Sequence, residues 1–288
     1  MKKWNLVIDV AKCFNCNCCA LACHDEYHGN RFPGYAEEMA KLGQRWIDIL
    51  QRETGQVPMV EVSYLPVMCN HCDNPPCLKA AKDGAVVKRD DGIVLIVPEK
   101  ARGQRQIVDA CPYNAVFWNE EKQLPQAWPF DAHLLDQGWT RTRGAQVCPT
   151  QAMRTLKVSD EEMRAIAARE GLEVLSPETG AKPRVHYQNL ANFYSVFIGG
   201  ALTREVAGVS ECAAGVKVAL LKHNQLVEEQ ESDTFGEFRF RRLKRDSGIY
   251  TLRVAEAKFA MEVEVEQDSV YLGAIDLAPA RKPAPVTN

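Results

Sequence analysis

The alternation of apolar and polar residues divides the chain into a mixed N-terminal part and a C-terminal part of short strands. Near the start, the apolar run Leu6–Val10 is interrupted only by Asp9, which predicts a strand leading to Cys13. After residue 195, four segments alternate: Val216–Leu220, Phe238–Phe240, Tyr250–Val254 and Met261–Val265. Turn-forming residues separate these segments, so the pattern predicts an antiparallel β-sandwich.

The middle of the chain contains helix signals. We interpret residues 24–66 as an insertion that contains a turn at Phe32–Tyr35 and a helix around Ala36–Leu50. Ser159–Glu162 is a capping box and predicts a short helix that ends at Gly171. The predicted domains are a cluster-binding domain at residues 1–158, a helix and connector at 159–194, the β-sandwich at 195–277 and a flexible tail at 278–288.

The composition narrows the class of protein. The 288 residues are 46% hydrophobic and 25% charged, as in an ordinary soluble globular protein. Thirty-five basic residues against 38 acidic ones give a net charge of −3, which disfavours a nucleic-acid partner. No apolar run is long enough to span a bilayer, and the first residues lack the apolar core of a signal peptide. We therefore expect a cytoplasmic protein without a membrane anchor.

Cysteine spacing carries the candidate chemistry. All eleven cysteines except Cys212 precede residue 150, and in a chain of this size they favour metal ligation over a disulfide framework. The first group has the C-x2-C-x2-C-x3-C spacing of bacterial ferredoxins and consists of Cys13, Cys16, Cys19 and Cys23. In that arrangement three cysteines bind one 4Fe-4S cluster and the fourth binds a second cluster. Zinc is the alternative, although zinc sites usually have separated C-x2-C pairs.

A second group has C-x2-C-x4-C spacing and consists of Cys69, Cys72 and Cys77. Pro75-Pro76 imposes an extended bend that lets the third thiolate return to the metal. Zinc is again the alternative, with His71 as a possible extra ligand. In the cluster interpretation His71 only neighbours the site.

An internal repeat extends this arrangement. Gly92–Lys100 repeats the approach of Leu6–Lys12, so positions 101, 104, 107 and 111 correspond to 13, 16, 19 and 23. The first three hold Ala101, Gln104 and Ile107. Cys111 remains and is followed by proline, as Cys148 is further on. In front of Cys148, the places where cysteines would be expected hold Trp128, Asp131 and Gly144.

The remaining cysteines form two complete sets if the last cysteine of each group binds the other cluster of its pair. The predicted ligands are Cys13, Cys16, Cys19 and Cys148 for the first 4Fe-4S cluster, and Cys69, Cys72, Cys77 and Cys111 for the second. The other two sets have lost their triplets entirely, leaving Ala81 and Cys23 as their fourth positions. Cys18, Cys23 and Cys212 are left over and are expected to be inert, buried thiols. In the rival assignment, Cys23 completes the first cluster and Cys148 is free.

Several motifs resemble a known family. They include Val7–Cys13, Cys69–Cys77, Asp91–Ile96, Cys111–Tyr113, Ala132–Asp136, Lys182–Val185 and Phe235–Phe238. As a set they resemble the iron–sulfur subunits of the molybdopterin oxidoreductases related to dimethyl sulfoxide reductase. Within that group the similarity is greater to the small subunits of the pyrogallol–phloroglucinol transhydroxylase and resorcinol hydroxylase type. Where that type has a C-x2-C pair, this chain has Trp128 and Asp131, so one of that type's clusters is expected to be missing here.

The resemblance implies an α+β fold with two fused ferredoxin-like halves ahead of the β-sandwich. It also implies an electron-transfer subunit in a heterodimer with a large catalytic subunit. That partner would hold a molybdenum or tungsten bis-molybdopterin guanine dinucleotide cofactor and act on a hydroxylated aromatic. No nucleophile elbow, phosphate loop or open-coordination metal motif is present here, so no catalytic residue is assigned. Two alternatives are the same subunit type serving formate or a sulfur compound, and a non-redox zinc or cluster assembly protein.

Overall fold

The computed structural model describes residues 1–277, and the predicted tail at 278–288 lies outside the described residues. The chain forms two compact units. The first comprises Met1–Gln51 and Ser63–Phe193, and the second comprises Arg52–Val62 and the chain from Tyr194 onward. Among residues 1–277, no helix is long and apolar enough to cross a membrane.

The elements up to residue 194 are short, apart from one hairpin and two helices. The strands are β1 (Lys3–Asp9), β2 (Ile47–Gln56), β3 (Met59–Met68), β4 (Val86–Lys88), β5 (Val94–Ile96), β6 (Phe117–Asn119), β7 (Leu124–Gln126), β8 (Met153–Val158) and β9 (Val185–Gln188). The helices are α1 (Cys18–Tyr27), α2 (Pro76–Ala80), α3 (Pro98–Ala101), α4 (Gln106–Asp109), α5 (Ala132–Asp136), α6 (Arg143–Val147), α7 (Asp160–Glu170) and α8 (Ala191–Tyr194).

Strand β1 is the centre of the first unit. It pairs antiparallel with β8 and parallel with β9, in the order β8-β1-β9. Residues 4–8 of β1 are all buried, because both faces of the strand are covered, and this explains why all of them except the hydrogen-bonded Asn5 are apolar. The strand predicted at Leu6–Val10 is confirmed. A 3-10 turn at Val10–Lys12, with Asp9 as its N-cap, then leads to Cys13.

The helix predicted around Ala36–Leu50 is wrong. Residues 37–46 form no helix, and β2 begins at Ile47 and pairs with β3 in a two-stranded hairpin. Ile47 and Ile49 are buried while Asp48 is more exposed, so the side chains follow a period of two. The structure of this segment is decided by its pairing with β3, which overrides the helical propensity of the segment.

The helix predicted after Ser159 is confirmed as α7. The Ser159 hydroxyl accepts a hydrogen bond from the Glu162 backbone N–H at 3.1 Å, and the Glu162 carboxylate accepts one from the Ser159 N–H at 2.7 Å. Gly171 ends the helix with a φ of 61°. This reciprocal capping fixes where the helix begins, and the buried Met163 side chain anchors its inner face.

The second unit contains two four-stranded sheets around one hydrophobic core. The strands are β10 (Val196–Val206), β11 (Val209–Cys212), β12 (Lys217–Lys222), β13 (Gln225–Glu231), β14 (Glu237–Leu243), β15 (Gly248–Val254), β16 (Phe259–Val265) and β17 (Val270–Asp276). One sheet joins β11, β10, β14 and β17, and the other has the order β13-β12-β15-β16.

The four segments predicted as strands in this unit correspond to β12, β14, β15 and β16. The other four strands lack a simple alternation of buried and exposed residues. Five consecutive buried residues begin β10, whereas β11 is exposed throughout and β13 almost throughout. An apolar–polar alternation with a period of two identifies only strands that have one solvent-exposed face and one buried face.

Candidate metal centres

Four cysteines from three parts of the chain line one cavity of the first unit. They are Cys13, Cys16, Cys19 and Cys148. Cys13 follows the 3-10 turn, Cys19 lies in the first turn of α1, and Cys148 is the residue that caps the end of α6. The pKa of Cys13 is raised first by burial and then by the adjacent thiols of Cys148 and Cys16. The structure therefore places Cys148 with the first cysteine group.

A second set of thiols lies around Cys69. The pKa of Cys69 is raised above its usual range, first by burial and then by the nearby thiols of Cys77, Cys111 and Cys72. Pro76 opens α2, so Cys77 lies in its first turn. His71, directly before Cys72, has a φ of 44°, and Asn15, directly before Cys16, has a φ of 61°. Both loops therefore use a left-handed residue to turn the next thiol inward.

The two cysteines that complete these sets share one local structure. The Ala115 N–H donates to Cys111 Sγ at 3.4 Å, and the Ala152 N–H donates to Cys148 Sγ at 3.2 Å. Each acceptor sulfur lies four residues before its donor, across a Cys-Pro turn. Hydrogen bonds to sulfur are among the features that set the potential of an iron–sulfur cluster. The same N–H···S hydrogen bonds can be made to a metal-bound thiolate and to a free thiol.

The electrostatics of both sets fit a cationic metal group. Burial raises the pKa of Cys19 to about 12 and that of Cys72 to about 12. Thiolates crowded in such pockets need positive charge, and metal coordination deprotonates a cysteine ligand outright. All eleven cysteines lie in the described part of the chain, and none is in a disulfide. Two sets of four thiols are the donor set that a 4Fe-4S cluster uses.

His71 contacts aromatic rings beside the second set. Its Nδ1 accepts a hydrogen bond from the Val94 N–H at 3.1 Å, and burial lowers its pKa to about 3. Its ring lies edge-on to Phe130 and Trp128, with centroids 5.0 and 5.6 Å away. His71 is therefore a neutral ring that packs on aromatic side chains and whose Nδ1 is occupied by the Val94 N–H.

An apolar cluster occupies the position around residue 104 where the repeat has lost its cysteines. Ala101 and Ile107 are fully buried with Val86, and Ala81 packs against them. Gln104 uses its side-chain amide within the loop: it accepts from the Lys82 N–H and donates to the Lys100 carbonyl, both at 2.8 Å. Small and aliphatic side chains thus fill the space that a cluster would otherwise occupy.

A buried polar network occupies the position around residue 131 where cysteines are also missing. Asp131 is 1% exposed, and Trp128 and Cys23 are buried beside it. Asp131 Oδ1 accepts from the Tyr27 hydroxyl at 2.8 Å and from Trp128 Nε1 at 3.0 Å. Its Oδ2 accepts from the backbone N–H of Arg143, also at 2.8 Å. Sequence reasoning named Asp131 only as a missing cysteine, because its three donors are far apart along the chain.

The three left-over cysteines have different environments. Cys23 is 2% exposed, and burial followed by the charge of Asp131 raises its pKa well above the usual range. Cys18 is half-buried beside Cys16. Cys212 is exposed at the end of β11, so its expected burial is wrong. The strand that carries it has no covered face, which the sequence pattern did not reveal.

Comparison with known proteins identifies the group to which the chain belongs. The family model of the 4Fe-4S dicluster domain matches residues 60–158. A tetrathionate reductase subunit from Salmonella typhimurium is 32% identical over 65% of this chain and 73% of its own length. The small subunit of pyrogallol hydroxytransferase from Pelobacter acidigallici is 41% identical over 96% of this chain and 100% of its own length. The chain belongs to the family of iron–sulfur subunits that includes both of these relatives.

A further relative extends the family toward dimethyl sulfoxide reductase. A putative iron–sulfur subunit of that enzyme from Halobacterium salinarum is 35% identical over 48% of this chain and 54% of its own length. The resemblance deduced from the sequence motifs is therefore confirmed. As an iron–sulfur subunit of the molybdopterin oxidoreductases, the chain has electron transfer as its role.

Proposed function

We propose that the chain binds two 4Fe-4S clusters and transfers electrons for a separate catalytic subunit. The first cluster would be held by Cys13, Cys16, Cys19 and Cys148, and the second by Cys69, Cys72, Cys77 and Cys111. The observation that carries this proposal is the closure of each triplet by a distant Cys-Pro cysteine with the same N–H···S turn. When bound, such a cluster exchanges one electron at a time.

The two other expected positions support a count of two. Around position 104 the chain supplies aliphatic side chains, and around position 131 it supplies a tryptophan and a hydrogen-bonded carboxylate. Neither set offers four thiols. The internal repeat and the two matching Cys-Pro turns also support two ferredoxin-like halves, followed by the β-sandwich domain.

A hydroxylated aromatic is the substrate class we propose for the catalytic partner. The relative named as a pyrogallol hydroxytransferase subunit matches almost the whole chain, whereas the tetrathionate reductase subunit matches 65% of it. The partner would be a large molybdopterin-containing subunit that forms a heterodimer with this chain and supplies the substrate site. A complex acting on a sulfur compound is the second candidate, favoured by the tetrathionate reductase and dimethyl sulfoxide reductase relatives.

Metal analysis tests the proposed function. Protein purified without oxygen should contain about eight irons and eight acid-labile sulfides per chain, four of each per cluster, and give two cluster signals by electron paramagnetic resonance (EPR) after reduction. About twelve irons would show that Cys23 has recruited other ligands near Asp131 and would contradict the two-cluster count. Zinc without acid-labile sulfide would contradict the electron-transfer role and would indicate a structural metal site.

An acceptor experiment with the complete complex tests the reaction. Hydroxylation of an aromatic by water releases two electrons, so it requires an external acceptor. Transfer of a hydroxyl group between two aromatics is redox-neutral and requires none. Turnover of pyrogallol should therefore be measured with and without an added dye acceptor. An absolute requirement for the dye would exclude transhydroxylation, and full turnover without the dye would exclude simple hydroxylation.

A further inference from the structure

Asp131 is a buried carboxylate with hydrogen-bond donors on three sides. It accepts from Tyr27, from the Trp128 indole and from the Arg143 backbone N–H. Among residues 1–277, no lysine or arginine side chain forms an ion pair with it. The Arg143 guanidinium turns instead to Glu26, with its Nε 3.2 Å from the Glu26 carboxylate. The carboxylate is therefore stabilised by dipoles and not by a neutralising charge.

Three donors favour the charged form of the Asp131 carboxyl group. Burial raises the pKa of Asp131, and the hydrogen bonds from Trp128, Tyr27 and Arg143 act in the opposite direction. A neutral carboxylic acid would bring a donor of its own to a site where every neighbour already donates. His133, which is paired with Glu26 at 2.9 Å, adds a smaller effect that also favours the anion. The pKa of Asp131 is raised overall because burial outweighs these contacts, whereas the geometry of the three donors favours the anion.

This charge is hydrogen-bonded to the two helices that carry thiols of the first set. Arg143, whose N–H binds Asp131, is the first residue of α6, and that helix leads directly to Cys148. On the other side Asp131 adjoins α1, through the hydroxyl of Tyr27 and the thiol of Cys23, one turn beyond Cys19. Helices α1 and α6 pack together, and a Cβ on Gly144 would lie 3.4 Å from that of Cys19. The carboxylate therefore joins the two helices that carry Cys19 and Cys148.

The second set has no corresponding charge in its own missing group. The position that corresponds to the middle of that triplet is Gln104, which is uncharged and partly exposed, and its neighbours Ala101 and Ile107 are apolar. The two vacated positions thus differ in charge, although both have lost their cysteines. A fixed anion beside a cluster disfavours the addition of an electron, because the reduced cluster is the more negative state.

We propose that Asp131 is a positioning residue that holds a negative charge on the helices that carry Cys19 and Cys148 and thereby lowers the reduction potential of the cluster they help to bind. The inference rests on the proposed function, since it assumes a cluster at the first set. It assigns a role to the position where a ligand has been lost: the carboxylate sets the one-electron potential of the neighbouring cluster and braces α6.

Two substitutions separate charge from structure. Asp131→Asn removes the charge with little change of shape, so the potential of the first cluster should rise. Tyr27→Phe removes one donor and leaves the charge less compensated, so that potential should fall. The measurement is a redox titration of the full chain with dithionite as the one-electron donor, followed by EPR, together with iron and sulfide analysis. Asp136→Asn is the matched control, because Asp136 lies on the same helix and is paired with Arg89 at 2.8 Å.

The opposite signs make the test decisive. The proposal requires an upward shift of the first cluster's potential in Asp131→Asn and a downward shift of that potential in Tyr27→Phe. Unchanged potentials in Asp131→Asn with eight irons retained would overturn it. Shifts in the same direction in both variants would show a purely structural role and would overturn it as well. If Asp131→Asn lost iron, Tyr27→Phe would decide, since any result other than a downward shift contradicts the charge effect. Too few irons in the unsubstituted chain would refute the proposed function instead.

Discussion

The backbone N–H of Ala152 donates a hydrogen bond to Cys148 Sγ at 3.2 Å, across a Cys-Pro turn. The same sulfur lies in the cavity lined by Cys13, Cys16 and Cys19, whereas Cys23 lies beside Asp131. This placement distinguishes the two ways of completing the first cluster, because a ligand must share a cavity with the other three thiols.

Cysteine substitutions should show this difference directly. Cys148→Ser is expected to lower the iron content from about eight to about four per chain and to remove one EPR signal. Cys23→Ser should keep both signals, because its thiol is outside the set. Iron and sulfide analysis of anaerobically purified variants is the measurement, and Cys212→Ser is the control for a change at an exposed thiol. Loss of the first cluster in Cys23→Ser alone would reverse the assignment.

Arg184 should contribute strongly to the stability of the first unit. It is 3% exposed and binds both carboxylate oxygens of Asp73 at 2.7 Å, and it also contacts Asp160 at 2.7 Å and the Asn5 side chain at 3.1 Å. Arg184→Ala would remove these bonds and leave Asp160 with Lys3 and Asp73 with Lys88, so we expect the free energy of unfolding to fall by about 2–3 kcal/mol. Chemical unfolding followed by circular dichroism measures the loss. The exposed Arg164→Ala is the matched control and should change stability by less than about 0.5 kcal/mol.

His186 should make the first unit less stable in mild acid. Burial, followed by the charge of Arg184, lowers its pKa from 6.5 to about 4. Below about pH 6.5 the unfolded chain therefore binds a proton that the folded chain does not bind until about pH 4. The stability gained by keeping His186 neutral is fully present above pH 6.5 and is lost as the pH falls toward 4, by about 3 kcal/mol.

Two histidines contribute to this pH dependence, because the pKa of His71 is also lowered, to about 3. His186→Gln should make the decline of the unfolding midpoint between pH 6.5 and pH 4 shallower and leave the part that is due to His71, whereas His223→Gln, in an exposed turn, should not change it. Asp160, whose pKa is lowered to about 2, titrates below this window. An equal decline in the His186→Gln variant and the unsubstituted chain would show that other groups cause it.

Trp128 should be worth more as a packing residue than as a hydrogen-bond donor. It is 1% exposed and contacts Phe130, with ring centroids 4.9 Å apart, in addition to its bond to Asp131. Trp128→Ala would open a cavity and should cost about 3–5 kcal/mol. Trp128→Phe keeps most of the volume and should cost about half as much. Thermal and chemical unfolding compare the two variants, and similar losses in both would indicate that the hydrogen bond dominates.

Sequence reasoning was reliable where the cause of a structure is local. The capping box at Ser159 found the start of α7, and alternation found the four strands of the second unit that have one buried and one exposed face. The cysteine spacings indicated the class of metal group. In each case the deciding residues lie within one turn or one strand, so their pattern is visible along the chain.

What the sequence by itself determined is therefore the chemistry and the family, and what the tertiary structure decided is which distant residues meet. The helix predicted around Ala36–Leu50 does not form, and its last residues belong to strand β2, which pairs with β3. Burial against α1 and α6 turned Asp131 from a missing ligand into the centre of a hydrogen-bond network. The convergence of Cys148 with Cys13 depends on the pairing of β1 with β8. Such long-range contacts leave no periodic signal, because the free energy that selects them comes from packing the whole unit.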